Sequence, residues 1–167
     1  FFYTSFTALN ASGVSGVGFA AFDEETGTLT VTIRAAGLEA DQVHPQHIHG
    51  FMAQDGTVAE SMVPTLDVDD DDDGFIELME GGQTYGPVLL DLTADGEFPT
   101  ADENGVISFT QTYQLPEQDL GADPMLDLRE FVLHGLSLVT GDGSNGGEAD
   151  GTAGYKATLP VAAGSLD

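Results

Sequence analysis

Cysteine is absent from the 167 residues. Disulfides, thiolate nucleophiles and zinc-thiolate sites are therefore excluded together, and stability has to come from packing and from ions. Positive charge is nearly absent too: Arg34, Arg129 and Lys156 stand against 29 carboxylates, for a formal net charge of -26. Nucleic acid and anionic membrane surfaces would be repelled by such a chain, whereas divalent cations would be drawn to it. No apolar run approaches the ~20 residues that span a bilayer, so membrane insertion is not expected. No charged n-region precedes an apolar h-region at the start, and Phe1 is expected to be a mature terminus. An acidic, cysteine-free chain of this kind suits a secreted, periplasmic or cell-surface location. Hydrolase chemistry has no support, since no thiol and no G-x-S-x-G elbow exist, and no carboxylate pair is singled out for glycoside cleavage.

What is present is strand pattern. In "TGTLTVTIRAAG" (26–37), Leu29, Val31 and Ile33 alternate with Thr28, Thr30, Thr32 and Arg34, the period-2 signature of a half-buried strand. Shorter β-rich runs at 2–9, 16–22, 46–52, 87–92, 105–114, 130–139 and 155–162 are separated by Gly, Asp, Asn and Pro clusters. About eight strands with few helical patterns predict an all-β fold, an antiparallel Greek-key sandwich or flattened barrel, in one domain over 1–167. Two long excursions interrupt the rhythm, at about 53–86 and at 140–154, and loops of that length need a reason to be ordered.

The first excursion contains "DVDDDDDGFIELME" (67–80). From Asp69 it fits D-x-D-x-D-G-x5-E: Asp69, Asp71 and Asp73 at loop positions 1, 3 and 5, Gly74 at 6 and Glu80 at 12. In a calcium loop the three aspartates converge on the ion, glycine allows the turn, and the last glutamate closes the shell with two oxygens. Phe75 would supply its backbone carbonyl and Glu77, at position 9, would bind through water. Pro64 upstream and Gly81-Gly82 downstream argue against flanking helices, so the expectation is an EF-hand-type loop at about 64–82 inserted into a β domain. The bland alternative is a solvated acidic run. The second excursion reads first as a flexible loop, and alternatively as a second ion site through Asp142, Asn145, Glu148 or Asp150.

Histidine is concentrated in "HPQHIHGF" (44–51). On a strand, His47 and His49 project to one face while Ile48 points to the core, which sets two imidazoles side by side. "EFVLHGL" (130–136) repeats the pattern, with Val132 and His134 sharing a face; as a neighbouring strand it would complete a three-imidazole site. Imidazoles suit copper, zinc, nickel or iron. His44 has the opposite parity in an ideal strand, a geometry that Pro45 disturbs, and is either a fourth ligand or an exposed loop residue. The alternative is that His47 and His49 hydrogen-bond within the sheet and His134 is unrelated to them.

In that order, "HIHGF", the calcium-like loop, "YGPVLLDLT" (85–93), "REFVLHGL" (129–136) and "ATLPVAAG" (157–164) resemble bacterial secreted chordin-type (CHRD) domain proteins, related to the Cu/Zn superoxide dismutase-like sandwich. The similarity begins at "SFTALNASGVSG" and covers most of the chain. It implies an eight-stranded Greek-key barrel, with His47, His49 and His134 in the place of copper ligands. The departures are as telling. No histidine lies between His49 and His134, so the dismutase's bridging and zinc ligands have no counterpart. Its cysteine pair is missing, with Ala163 where one member would stand, and Pro160 falls near its catalytic arginine, Lys156 being only a nearby cation. A superoxide anion would also be repelled by a charge of -26.

The function expected is therefore non-enzymatic: an extracellular calcium-binding sandwich acting in a surface, matrix or filament, with a histidine cluster able to bind copper. The "FFYTSF" start is a candidate for strand pairing between copies. The alternative is a copper-binding protein or a weak dismutase-like oxidoreductase. A cupin fits poorly, lacking the glutamate shortly after the HxH pair.

Overall fold

Alternating apolar and polar residues leave a strand no choice but to bury one face, and two such sheets here bury theirs against each other. The computed structural model describes residues 1–139 and 147–167. Its strands are β1 (Phe2–Ser5), β2 (Thr7–Ala8), β3 (Ser15–Asp23), β4 (Thr28–Ala36), β5 (Gln46–His49), β6 (Val88–Asp91), β7 (Ile107–Gln114), β8 (Glu130–Leu138) and β9 (Gly154–Ser165). A four-stranded sheet runs β1-β3-β4-β7 and a five-stranded sheet runs β2-β9-β8-β5-β6, with every pairing between these strands antiparallel. The chain crosses between sheets from β4 to β5, back from β6 to β7 and again to β8, which is the expected Greek-key sandwich.

The first apolar run does not form one strand. It breaks at Phe6, so β1 pairs with β3 in one sheet and β2 with β9 in the other. Phe6 turns inward at this corner and meets Phe131 with ring centroids 6.5 Å apart. Around them lie Leu29, Val31, Ile33, Ile48, Leu90, Phe109, Leu133 and Val161, all buried. Gly18 admits the Phe131 ring, since a β-carbon there would come within 2.5 Å of it.

The outer face of the five-stranded sheet is covered by the segment between β5 and β6. A 3₁₀ turn at Leu66–Val68 leads into the acidic bend, and a helix, α1, follows at Leu78–Tyr85. The helix corrects the expectation that both flanks are non-helical. A capping box starts it: the Glu77 side chain accepts from the Glu80 amide, and the Glu80 side chain accepts from the Glu77 amide. Gly81 is useful rather than disruptive, because a β-carbon there would sit 2.7 Å from the Tyr85 ring that folds back across the helix. Tyr85, Ile76, Leu9, Val132 and Ala163 then form a second small core between lobe and sheet. Among the described residues no helix is long and apolar enough to cross a membrane.

Candidate metal centres

β5 lies between β6 and β8, with Ile48 pointing into the main core, so His47 and His49 project outward beneath the lobe. His134 reaches the same face from β8, next to an irregularity at His134 to Leu136 where Gly135 adopts φ 115. The three imidazoles converge: one nitrogen from each lies within 4.8 Å of the others, and His47 Nδ1 is 3.1 Å from His134 Nε2. Two nitrogens bound to one tetrahedral ion at ~2.0–2.1 Å would stand roughly 3.3 Å apart.

The outer nitrogens decide the tautomers. His49 Nδ1 is 2.8 Å from the Gly86 carbonyl and His134 Nδ1 is 2.8 Å from the Thr158 carbonyl. Carbonyl oxygens only accept, so both nitrogens carry the proton and each neutral ring turns the lone pair of Nε2 inward. His47 Nε2 faces Asp91 Oδ1 at 3.4 Å, the carboxylate-imidazole arrangement that turns Nδ1 toward the same point. His49 Nε2 is buried with no hydrogen-bond partner among the described residues. An orphaned lone pair beside two others fits a cation. Burial holds His47 down to about 3, aided by the nearby His49, and holds His49 down to about 4. Burial also keeps His134 well below the usual histidine range, so all three are neutral ligands at neutral pH.

Aromatic rings roof the cluster, Phe98 meeting His47 and Tyr85 meeting His49 edge-on at 5.3 and 4.5 Å. The His49 ring also lines an apolar cavity of about 420 Å³ walled by Leu78, Met79, Tyr85, Pro87 and Val88. His44 does not join the cluster. It is fully buried, with Nδ1 2.9 Å from the His134 carbonyl and Nε2 2.9 Å from the Glu39 carbonyl, so it buttresses the strand that carries His134.

Five carboxylates of the acidic bend, with Asp150, build the second candidate. Asp69 accepts from the amides of Asp73 and Gly74, Asp71 accepts from Asp73, and Asp73 accepts from Phe75. These short side-chain turns curl the chain so that carboxylates face inward. Gly74, at φ 87, supplies the left-handed turn that the motif requires. Two groups result, Asp69-Asp71-Glu80 and Asp71-Asp73-Glu77-Asp150, each with its ligand oxygens within 4.8 Å. The expected ligands are thus brought together, but not around one point, and Asp150 joins from the distant 147–150 turn. Phe75 takes part through its amide, while Asp142 and Asn145 lie outside the described residues.

Electrostatic strain marks the bend. Burial pushes Asp73 up to about 6, opposed by the Phe75 amide and reinforced by Asp71, Asp69 and Glu80. Glu77 is pushed up to about 7, again chiefly by burial, with the Ala149 amide opposing and Asp73, Glu148 and Asp150 adding to it. Asp73 Oδ2 is buried and has no hydrogen-bond partner among the described residues. A dication bound among these carboxylates would offset the same repulsion.

Asn10 escaped the sequence reading. Its amide nitrogen donates to the carbonyls of Ile76 and Pro160, and its oxygen accepts from the Ile76 amide, at 2.7–2.8 Å throughout. That side chain thus fastens the bend to β9 from 66 residues away. No family model matches the chain, and no curated protein matches it.

Proposed function

We propose that this chain is a calcium-stabilised, non-enzymatic extracellular β-sandwich that serves as a surface, matrix or filament component. The observation that carries the reading is the pair of carboxylate groups sharing Asp71, which draws the 69–80 bend and the 147–150 turn toward the same ions. Motif and geometry agree on oxygen-only ligands, the preference of a hard dication. The acidic surface favours such ions as partners, and the Greek-key order of the sheets supports the resemblance to chordin-type domains. Calorimetric titration of chelator-stripped protein with Ca²⁺ tests it. Saturable binding that Asp71→Asn weakens is expected; no heat of binding up to millimolar Ca²⁺ would overturn the reading.

A second reading rests on the three inward nitrogens of His47, His49 and His134. They fit copper, which would bring redox chemistry to the site when bound, and the protein would then carry or scavenge the ion. Asp91, Gly86 and Thr158 orient the rings, and Phe98 and Tyr85 limit water. Efficient turnover of an anion such as superoxide is opposed by the charge of -26. Electron paramagnetic resonance of Cu(II)-loaded protein tests the ligand set: nitrogen hyperfine structure from three imidazoles is expected, and a spectrum unchanged in His47→Ala/His49→Ala would end this reading.

A further inference from the structure

The outer face of the four-stranded sheet breaks the electrostatic rule of the rest of the molecule. Its outward positions are Tyr3 and Ser5 on β1, Val17, Phe19, Ala21 and Asp23 on β3, Thr28, Thr30, Thr32 and Arg34 on β4, and Ser108, Thr110, Thr112 and Gln114 on β7. In a chain with 29 carboxylates these positions hold one, Asp23, together with one of the three fixed cations, Arg34. The two sit at opposite ends, since Asp23 pairs with Thr28 while Arg34 pairs with Val17.

Between them the face is ready to lose water. Thr30 bonds Thr112 and Thr32 bonds Thr110 across the strands at 3.1 Å, so these hydroxyls already have partners within the face. At the β1 edge, exposed Phe1 and Tyr3 stack on Phe19 with centroids 5.6 and 5.2 Å apart. Such an aromatic cluster is a hydrophobic anchor.

We propose that the occupant of this face is a second copy of the chain, packed sheet to sheet about a two-fold axis that runs across the strands. Two copies at -26 repel each other through any acidic surface, and this nearly neutral face is where they approach at least cost. The axis reverses strand direction, lays β1 over β1 and β3 over β3, and brings each Arg34 beside the partner's Asp23. The aromatic clusters then meet each other, and so do the paired threonines. An isologous interface must be self-complementary in this way. At ~4.8 Å between strands and ~3.4 Å per residue the face covers roughly 400 Å² per copy. That is about half of a standard interface, so the dimer is weak, concentration-dependent and strengthened by salt that screens the remaining carboxylates. The inference goes beyond the metal readings and does not rest on them.

Sedimentation velocity of the full chain from 10 µM to 1 mM, in low and high salt, with calcium and with EGTA, tests it. Reversible dimers that increase with concentration and salt in both buffers are expected. Thr32→Glu, and separately Thr110→Glu at an exposed position, should weaken association at least ~10-fold. Arg34→Glu and Asp23→Arg should each weaken it, and together restore it. A monomer at 1 mM in high salt overturns the proposal, and so do dimers indifferent to both glutamate variants. Failure of the charge swap to restore association overturns the orientation.

Discussion

Glu77 and Ala149 are 72 residues apart in the chain and joined by a 2.7 Å hydrogen bond from the Ala149 amide to the Glu77 carboxylate. The same glutamate caps α1, whose other end presents the Gly86 carbonyl to His49. One eight-residue helix therefore touches both candidate metal centres. The 147–150 turn reinforces the link: Thr158 donates its hydroxyl to Glu148 and offers its carbonyl to His134.

Calcium removal should loosen the histidine cluster. Without the ion the bend repels itself, α1 loses its anchor, and Gly86 no longer holds the His49 ring. Copper affinity measured by competition with a chromogenic chelator is expected to fall about 5- to 100-fold in EGTA. Equal affinity in both buffers would show that the two centres are independent.

Asp91 should act through His47 rather than on the ion. Gln118 donates to its carboxylate and accepts from its amide, which holds the carboxylate near the ring. Asp91→Asn is expected to weaken copper binding 10- to 100-fold while leaving the melting temperature of metal-free protein within about 1 °C. An unchanged copper isotherm would assign Asp91 to the surface alone.

Asn10→Ala should detach the bend from the sheet. It strands the Ile76 amide and carbonyl and removes the bond to Pro160, at a cost of about 2–3 kcal/mol. Urea denaturation should report that loss, and calcium affinity should fall with it. An aspartate at this position keeps the acceptor but not the two donated bonds, so Asn10→Asp should rescue little.

Buried Glu130 provides the pH prediction. Burial pushes it up to about 7, with the Ser165 hydroxyl opposing and Asp167 and Glu60 adding to the rise. Its folded value exceeds its unfolded one, so the folded state binds the extra proton and the group's contribution is lost as pH rises from about 4.5 through 7. Asp73 and Glu77 behave alike in metal-free protein, whereas neutral His47, His49 and His134 oppose them, because their stability is lost as pH falls below 6.5. Glu130→Gln isolates one contribution: it should stabilise the protein by about 1–3 kcal/mol at pH 8 and by little at pH 5. Equal effects at both pH values would contradict the assignment.

Strand positions were legible because period-2 burial is a local property, and β4 follows its pattern residue by residue, with Leu29, Val31 and Ile33 buried and the threonines outside. His47, His49 and His134 were legible by the same parity, whereas His44, expected as a fourth ligand or an exposed loop residue, is neither ligand nor exposed, because it is buried between the His134 and Glu39 carbonyls. The helix was hidden because Glu77 and Glu80 satisfy a calcium-loop pattern and a capping box with the same spacing, and because Gly81-Gly82 reads as a stop. Asn10, Asp91 and Thr158 could not be found in advance, since what each one contacts is set by a fold that joins residues far apart in the chain. The split of the first run at Phe6 likewise depends on the corner between sheets.

Thermal melting of chelator-treated protein at pH 7.5, with and without excess Ca²⁺, tests the central claim most directly. At 100-fold excess over the dissociation constant the ion should add about 2.7 kcal/mol. For a chain of this size that raises the midpoint by roughly 5–10 °C, and Asp71→Asn should lose most of the rise. Superimposable melting curves with Ca²⁺ and with EGTA would contradict the account.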